Sequence, residues 1–422
     1  MADPIVYDIR SPDYLDGRAV EKEMRRVFDV CAGCRRCLPL CPSFPDLFDR
    51  IDGNPTQDVE GLTSADMRNV VDLCYQCKLC YNHCPYHPPH RWMLDFPRLM
   101  LRSRAARAAK EGVPAQDRIL GLADAVGKIG SLLAPLSNWA NRFRLNRVLM
   151  ESTLGIHRDR NLPLFHRRTF SKWFRRKRAK AAGAAQAKVA LFATCSVEYN
   201  EPDIGRAAVE VLERNHVDVS LPEQRCCGMP FLDGGDLKKA LVNARRNVAS
   251  LHRAVREGRD IVVPGPTCSF MIRQEYPHML GTGEAREVAA RTFDISEYLM
   301  KRHKEGGLDT DFKAPIGKVA YHLPCHLKAQ NIGYKSRDLM ALVPGTQVEM
   351  ADHCSGVDGT WGFKKQYFDL SLKVAAPLLE QLDAARADVT ASDCPLACMQ
   401  IEKGRGVRPL HPVQILRKAY GK

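Results

Sequence analysis

Apolar positions along the chain change period as it runs. Residues 17–30 and 64–73 carry apolar side chains at helical spacing, with Ser64 as the expected N-cap of the second helix. Residues 116–140 keep that period through Ile119, Leu122, Val126, Ile129, Leu133 and Leu136, while Gly127, Gly130 and Pro135 weaken the helix locally. This segment is expected to pack on another domain rather than lie on a membrane, because its polar face is not strongly basic. From residue 189 the pattern alternates short apolar runs with helical stretches. Val189-Ala-Leu-Phe-Ala predicts a strand, 204–215 a helix and Ile261-Val-Val-Pro a second strand. That alternation predicts α/β units around a parallel sheet.

The alternating half is duplicated. Lys188-Val-Ala, four residues and Cys195 match Lys318-Val-Ala, four residues and Cys325. Ile204-Gly205 then matches Ile332-Gly333, Cys226-Cys227-Gly228 matches Cys354-Ser355-Gly356, and Cys268 matches Cys394. One repeated domain accounts for all four matches. In parallel sheets, loops at the carboxyl ends of strands commonly build sites, and these cysteines follow expected strands.

Cysteine is where the chemistry enters. The chain has 16, in four groups of four spanning 31–41, 74–84, 195–268 and 325–398. The first two groups both read C-x-x-C-x-x-C-x-x-x-C-P, ending on Pro42 and Pro85. Three thiolates at that step reach three irons of one cubane, and in two-cluster ferredoxins the fourth ligates the other cluster. The spacing therefore assigns Cys31, Cys34, Cys37 and Cys84 to one [4Fe-4S] cluster, and Cys74, Cys77, Cys80 and Cys41 to a second. Zinc sites pair two C-x-x-C steps across a longer gap and need neither the third cysteine nor the proline. Helical spacing on both sides of the first group predicts an α-helical ferredoxin domain rather than the compact β-containing kind.

Charge adds less. The formal net charge is +14, which suits nucleic acid, anionic lipid or an acidic partner. Much of it is local: Arg167, Arg168, Lys172, Arg175, Arg176, Lys177, Arg178 and Lys180 precede an Ala/Gly-rich stretch, 181–187, that reads as a linker. Phe165, Phe170, Trp173 and Phe174 interleave with these bases. There is no helix-turn-helix or RNA-binding motif, so nucleic acid is not expected as a partner. No run of 18 apolar residues predicts a membrane span, and the first residues lack the pattern of a signal peptide, so a cytoplasmic protein is expected.

The pattern C…CCG…C, duplicated behind a double ferredoxin motif, resembles the cysteine-rich CCG-domain iron–sulfur proteins. These include subunits of heterodisulfide reductases, of glycolate oxidase and of anaerobic glycerol-3-phosphate dehydrogenase. Cys226-Cys-Gly-Met-Pro, Leu232-Asp-Gly-Gly-Asp236, Pro264-Gly-Pro-Thr-Cys268 and Cys354-Ser-Gly-Val-Asp-Gly-Thr-Trp-Gly362 carry the likeness to the last of these. The expected architecture is an α-helical ferredoxin domain with two [4Fe-4S] motifs over 1–100 and a helical, basic linker region over 101–187. A duplicated α/β cysteine-rich (CCG) domain follows, over 188–305 and 314–422.

In heterodisulfide reductases a full CCG motif implies a non-cubane cluster on five cysteines. Here Cys195, Cys226, Cys227 and Cys268 lack the fifth, near Met271. Cys325, Cys354, Cys394 and Cys398 have Ser355 in place of the pair's second cysteine. Each set still offers four thiolates, and a further iron–sulfur cluster, zinc or a redox dithiol all remain open for these repeats. His322 and His326 flank Cys325 and are expected chiefly as structural contacts beside it; Trp361 reads as loop packing.

No G-x-G-x-x-G follows a strand, so flavin or nicotinamide chemistry is expected on a partner. The resemblance implies the same. A separate FAD dehydrogenase subunit oxidises glycerol-3-phosphate or a similar hydroxy-substrate, and this chain passes electrons towards a quinone or other acceptor, in the cytoplasm and peripherally at the inner face of the cell membrane. The alternatives are a heterodisulfide reductase-like thiol–disulfide oxidoreductase and a redox partner of a rubrerythrin-type peroxidase.

Overall fold

The computed structural model describes residues 7–178 and 185–421. The chain forms two units, one of residues 1–121 with 230–240, the other of 122–229 with 241–422.

The ferredoxin-type segment of the first unit is helical, with no strand among its described residues. Asp16 opens the helix Gly17–Cys34 by accepting from the Ala19 N–H at 2.7 Å, and Arg35, left-handed at φ 50°, closes it. Helices Ser43–Asp52, Ser64–Leu73 and Phe96–Glu111 pack against it. Their shared core holds Val27, Phe28, Phe44, Leu47, Val70, Leu99 and Met100, all at most 1% exposed. Each such side chain contributes roughly 1.5–3 kcal/mol by leaving water. The cap of Ser64–Leu73 is Thr63, not Ser64. The Thr63 hydroxyl accepts from the Asp66 N–H at 3.1 Å, and the Asp66 carboxylate accepts from the Thr63 N–H at 2.9 Å, a reciprocal box that Ser64 cannot form.

The second unit carries two parallel sheets. In the first, β1 (Ala187–Leu191), β2 (Val217–Ser220), β3 (Asp260–Val263) and β4 (Thr292–Asp294) lie in the order β2-β1-β3-β4. In the second, β5 (Lys318–His322), β6 (Gln347–Ala351) and β7 (Val389–Ser392) lie in the order β6-β5-β7, and Leu410 bridges Ala391 in parallel at the place β4 holds in the first. Ile261, Val262 and Val263 are fully buried, as expected of a parallel strand covered on both faces. The repeats share one core: Leu339, Val413 and Leu416 of the second pack with Val189, Ile204 and Leu212 of the first.

Residues 116–140 depart from the expected packed helix. Three short helices replace it, Ala115–Leu120, Ala123–Leu132 and Ala134–Arg142. The side of Ala123–Leu132 that packs inward is small: Gly127, Gly130 and Ser131 are buried, whereas Ile129 and Leu132 are 62% and 68% exposed. A Cβ at Gly127 would meet the Tyr199 ring at 2.2 Å, so glycine is what allows this approach. The aromatic residues of the basic stretch do turn inward. Phe170 and Phe174 of the helix Phe170–Arg178 are buried, and Lys177 pairs with Glu213. Lys180 and residues 181–184 of the expected linker lie outside the described residues.

Candidate metal centres

The first cysteine group sits where a helix ends. Cys31 and Cys34 occupy the last turn of Gly17–Cys34, and the Arg35 N–H donates to the Cys31 carbonyl at 2.8 Å. Turns through Arg35 and Cys37 then reverse the chain and bring Cys41 to the start of the helix Ser43–Asp52. The second group follows the same plan. Cys74 ends Ser64–Leu73, Gln76 and Lys78 take left-handed φ values of 62° and 66°, and Cys80 and Cys84 lie in and just after Leu79–His83. Left-handed non-glycine residues are costly and concentrate where surrounding structure imposes them.

The electrostatic neighbours of these thiols run between the two groups. Desolvation pushes the Cys31 thiol well up, and the thiols that add to the shift are Cys37, Cys84 and Cys34. Cys37 is pushed up to about 12, by desolvation and then by Cys84 and Cys34. Cys80, pushed up by burial, has Cys77, Cys74 and Cys41 as its next influences. Cys84 thus lies near Cys31 and Cys37, and both Cys41 and Cys37 lie near Cys80. Four thiolates this close repel one another unless a cationic core lies among them, and thiolate donors of this number suit iron–sulfur chemistry. Among the described residues, no three His, Cys, Asp or Glu are grouped as ligands of a single metal ion. A mononuclear tetrahedral site needs sulfurs within about 4 Å of one another, whereas a cubane spreads them over its corners.

Polar groups brace the second set. The Gln76 amide donates to Cys74 Sγ at 3.4 Å and to the Pro97 carbonyl at 3.3 Å. The Arg104 guanidinium donates to the carbonyls of Val71, at 2.8 Å, and Cys74, and also to that of Asp233, at 3.0 Å, in the 230–240 segment of the same unit.

In the first cysteine-rich repeat, Cys195 follows β1, Cys226 and Cys227 follow β2, and Cys268 follows β3. Their thiols form a chain of neighbours, 195 to 226 to 227 to 268, and contact with Cys226 together with desolvation pushes the Cys195 thiol well up. The loop is held through its backbone. The Cys226 N–H donates to Asp124 Oδ2 at 2.7 Å, and the Asn243 amide donates to the Cys226 carbonyl at 3.1 Å. The Tyr276 hydroxyl donates to the Cys227 carbonyl at 2.8 Å and accepts from the Asn247 amide at 2.8 Å. A cleft of about 1060 Å³ opens onto Cys195, Cys226 and Tyr199, with Arg225, Arg246 and Arg253 on its wall.

In the second repeat, Cys325 follows β5, Cys354 follows β6, and Cys394 and Cys398 follow β7. Desolvation pushes Cys394 up to about 11 and Cys398 further. Cys325 Sγ donates to Asp358 Oδ1 at 2.9 Å, and Cys354 Sγ donates to Asp358 Oδ2 at 3.3 Å. Cys394 feels the same carboxylate.

Comparison with known proteins agrees with this layout. A family model described as the citrate utilization protein B Fer4-like domain matches residues 24–110, and one for a cysteine-rich domain matches twice, at 189–273 and 319–402. The anaerobic glycerol-3-phosphate dehydrogenase subunit of Escherichia coli K12 that is designated C is 33% identical over 311 residues, 71% of this chain and 76% of the relative. This chain belongs to the CCG cysteine-rich-domain family. Lactate utilization protein A of Geobacillus thermodenitrificans NG80-2 is 28% identical over 244 residues, 55% of this chain and 97% of the relative. That of Anoxybacillus flavithermus WK1 is 29% identical over 246 residues, 54% and 98%. A helical Fer4-like domain followed by two CCG domains of α/β content is thus the family architecture here, and it supports an iron–sulfur redox subunit.

Within this CCG architecture the two repeats meet beside their cysteines. Thr267 Oγ1 and His326 Nδ1 are 2.9 Å apart, and Phe270 stacks on the His326 ring at 5.3 Å. His326 is therefore a contact between the loop of Cys268 and the helix of Cys325. His322 is buried, held down to about 4 by that burial, and bonds Ser392 at 2.9 Å. Trp361 is buried and stacks on Tyr367 at 4.6 Å. Sequence reasoning missed Asp124, Asn247, Tyr276 and Asp358. Three of them reach the CCG loop from distant positions and carry no local signal. Asp358 had one: an acidic residue in the glycine-rich loop directly after the cysteine pair that Ser355 breaks.

Proposed function

We propose that this chain is the iron–sulfur electron-transfer subunit of a dehydrogenase. It relays electrons from a partner FAD subunit, acting on glycerol-3-phosphate or a similar hydroxy-substrate, towards a quinone or other acceptor. Cys31, Cys34, Cys37 and Cys84 hold one [4Fe-4S] cluster, and Cys74, Cys77, Cys80 and Cys41 a second. Such clusters supply one-electron steps over a wide range of potential. Cys195, Cys226, Cys227 and Cys268 offer four thiolates to a further iron–sulfur cluster or zinc, as do Cys325, Cys354, Cys394 and Cys398. What supports this reading is that Cys84 lies near Cys31 and Cys37, and Cys41 near Cys80, within one helical unit. The chain's own residues fix those thiols on helix ends, shield them with the core around Phe28 and Phe44, and place Gln76 as a donor to sulfur.

Peripheral membrane association belongs to the same reading. No helix among the described residues is long and apolar enough to cross a membrane. Ile129, Leu132, Leu136, Trp139, Leu145 and Leu149, on three successive short helices, are each 58–71% exposed, and Arg142 and Arg144 lie among them. A surface of this kind suits the interface of an anionic bilayer, where a quinone acceptor is available.

The cleft over Cys195 and Cys226 favours a second reading, thiol–disulfide reduction at the first repeat, since it gives a small substrate access to two thiols. Anaerobic purification with iron, sulfide and zinc analysis and EPR separates these. About eight irons with only interacting cubane signals confines redox chemistry to the helical unit, and more iron with an added signal from thiol-treated samples supports the second reading. Mostly zinc and little iron overturns both.

A further inference from the structure

Both oxygens of the Asp358 carboxylate accept from thiols, those of Cys325 and Cys354. Metal sites combine thiolate sulfur with Asp or Glu oxygen donors. The bland alternative is a neutral acid that only bonds its neighbours, and three further observations weigh against it.

First, the two carboxylate oxygens divide between two cysteines that come from different loops, Oδ1 at 2.9 Å from Cys325 Sγ and Oδ2 at 3.3 Å from Cys354 Sγ, while Cys394 lies within its field. The carboxylate stands among the thiols, not behind them. Second, this repeat is one thiol short where the other has a pair. Ser355 occupies the position of Cys227, and Asp358 falls at the position of Pro230, four residues past the first cysteine of each motif. Third, Asp358 has φ 29°, a left-handed backbone that costs energy for a residue with a side chain. The loop cannot relax it easily. The Trp361 N–H donates to the Asp358 carbonyl at 3.1 Å, and Gly356 is packed so tightly that a Cβ would meet the Ser371 carbonyl oxygen at 2.2 Å.

We infer that Asp358 is a carboxylate ligand of the metal centre in the second cysteine-rich repeat, supplying a donor where Ser355 replaces cysteine. The inference rests on the reading that this repeat holds a metal centre. An oxygen donor among thiolates is harder and more readily exchanged than sulfur, so the two repeats differ in kind: the first is sulfur-only, the second mixed.

The test uses the full chain, purified anaerobically, as wild type, Asp358→Ala, Asp358→Asn, Asp358→Cys and Cys394→Ser. Metal and sulfide per chain are measured with Mössbauer or EPR spectra, and circular dichroism checks folding. Asp358→Ala and Asp358→Asn are expected to lose at least half of the metal that Cys394→Ser loses. Asp358→Cys is expected to recover it with a changed spectrum and a lower midpoint potential. The near-isosteric Asn variant covers the case in which Ala fails to fold. Full metal and an unchanged spectrum in Asp358→Asn, alongside loss in Cys394→Ser, overturns the ligand assignment and leaves the centre standing. Failure of Asp358→Cys to recover lost metal also overturns it, making the carboxylate a packing residue. Full metal in Cys394→Ser removes the centre itself, and the inference with it.

Discussion

Lys78 Nζ donates to Gln76 Oε1 at 2.6 Å, while the amide of the same Gln76 donates to Cys74 Sγ at 3.4 Å. Lys78 is only 4% exposed, and its charge acts on the Cys74 thiol. A buried cation beside a cluster stabilises the reduced, more negative state. In a medium of effective dielectric near 20, two unit charges about 8 Å apart interact by about 2 kcal/mol, or roughly 90 mV for a one-electron couple. Lys78→Met is therefore expected to lower the potential of the cluster proposed on Cys74, Cys77, Cys80 and Cys41 by several tens of millivolts, and that of the other by less. A redox titration followed by EPR reads this, and equal shifts in both clusters would contradict it.

The proposed exchange of fourth cysteines gives a second test. Cys84→Ser is expected to remove or convert the cluster of Cys31, Cys34 and Cys37, and Cys41→Ser that of Cys74, Cys77 and Cys80. Each variant loses about half of the iron of the helical unit and the spin interaction between the clusters. Lys78→Met identifies the survivor. Its potential shift persists in Cys84→Ser and is smaller in Cys41→Ser. The reverse pattern means that each C-x-x-C-x-x-C-x-x-x-C run serves its own cluster.

The two triads and the repeat could be read from the sequence because their signals are local or recur. A C-x-x-C step is three residues long, and KVA before a cysteine appears twice. Polar support was not legible in the same way. Asp124 meets the Cys226 N–H across 102 positions, and no pattern near either residue announces it. The segment 116–140 misled for a different reason. Its apolar period is real, but Gly127 and Gly130 allow close approach to Tyr199 and Phe165, so the small face is buried and the apolar face is left outside. Hydrophobic period alone does not say which face packs when the opposite one is made of glycine.

That outward face makes a membrane prediction. Ile129→Glu with Leu132→Glu changes two side chains that are 62% and 68% exposed, so folding is expected to be nearly unaffected. Co-sedimentation with vesicles containing anionic phosphatidylglycerol is expected to fall at least tenfold relative to wild type, and Trp139 fluorescence is expected to lose its blue shift on vesicle addition. Binding that survives the double change but vanishes in high salt would assign the association to charge alone.

His411 sets an acid limit on the second unit. It caps the helix Pro412–Ala419, with Nδ1 accepting from the Val413 N–H at 3.2 Å, and it is 1% exposed. Burial holds its pKa down to about 3, against about 6.5 in an unfolded chain. Between those values the unfolded state binds the extra proton and the folded state does not. Stability therefore rises with pH through this window, by up to ~1.4 kcal/mol per unit from this group, and the loss on acidification begins near pH 6.5. Protonation would also remove the Nδ1 acceptor from the cap. His411→Asn keeps an oxygen acceptor for Val413 but cannot titrate. Urea unfolding at pH 7, 6 and 5 is expected to give wild-type and variant curves that separate as pH falls, with the variant losing less stability at each step. Acid lability of the metal centres is common to both proteins and cancels in the difference, so curves that stay parallel would show that His411 is not the titrating group.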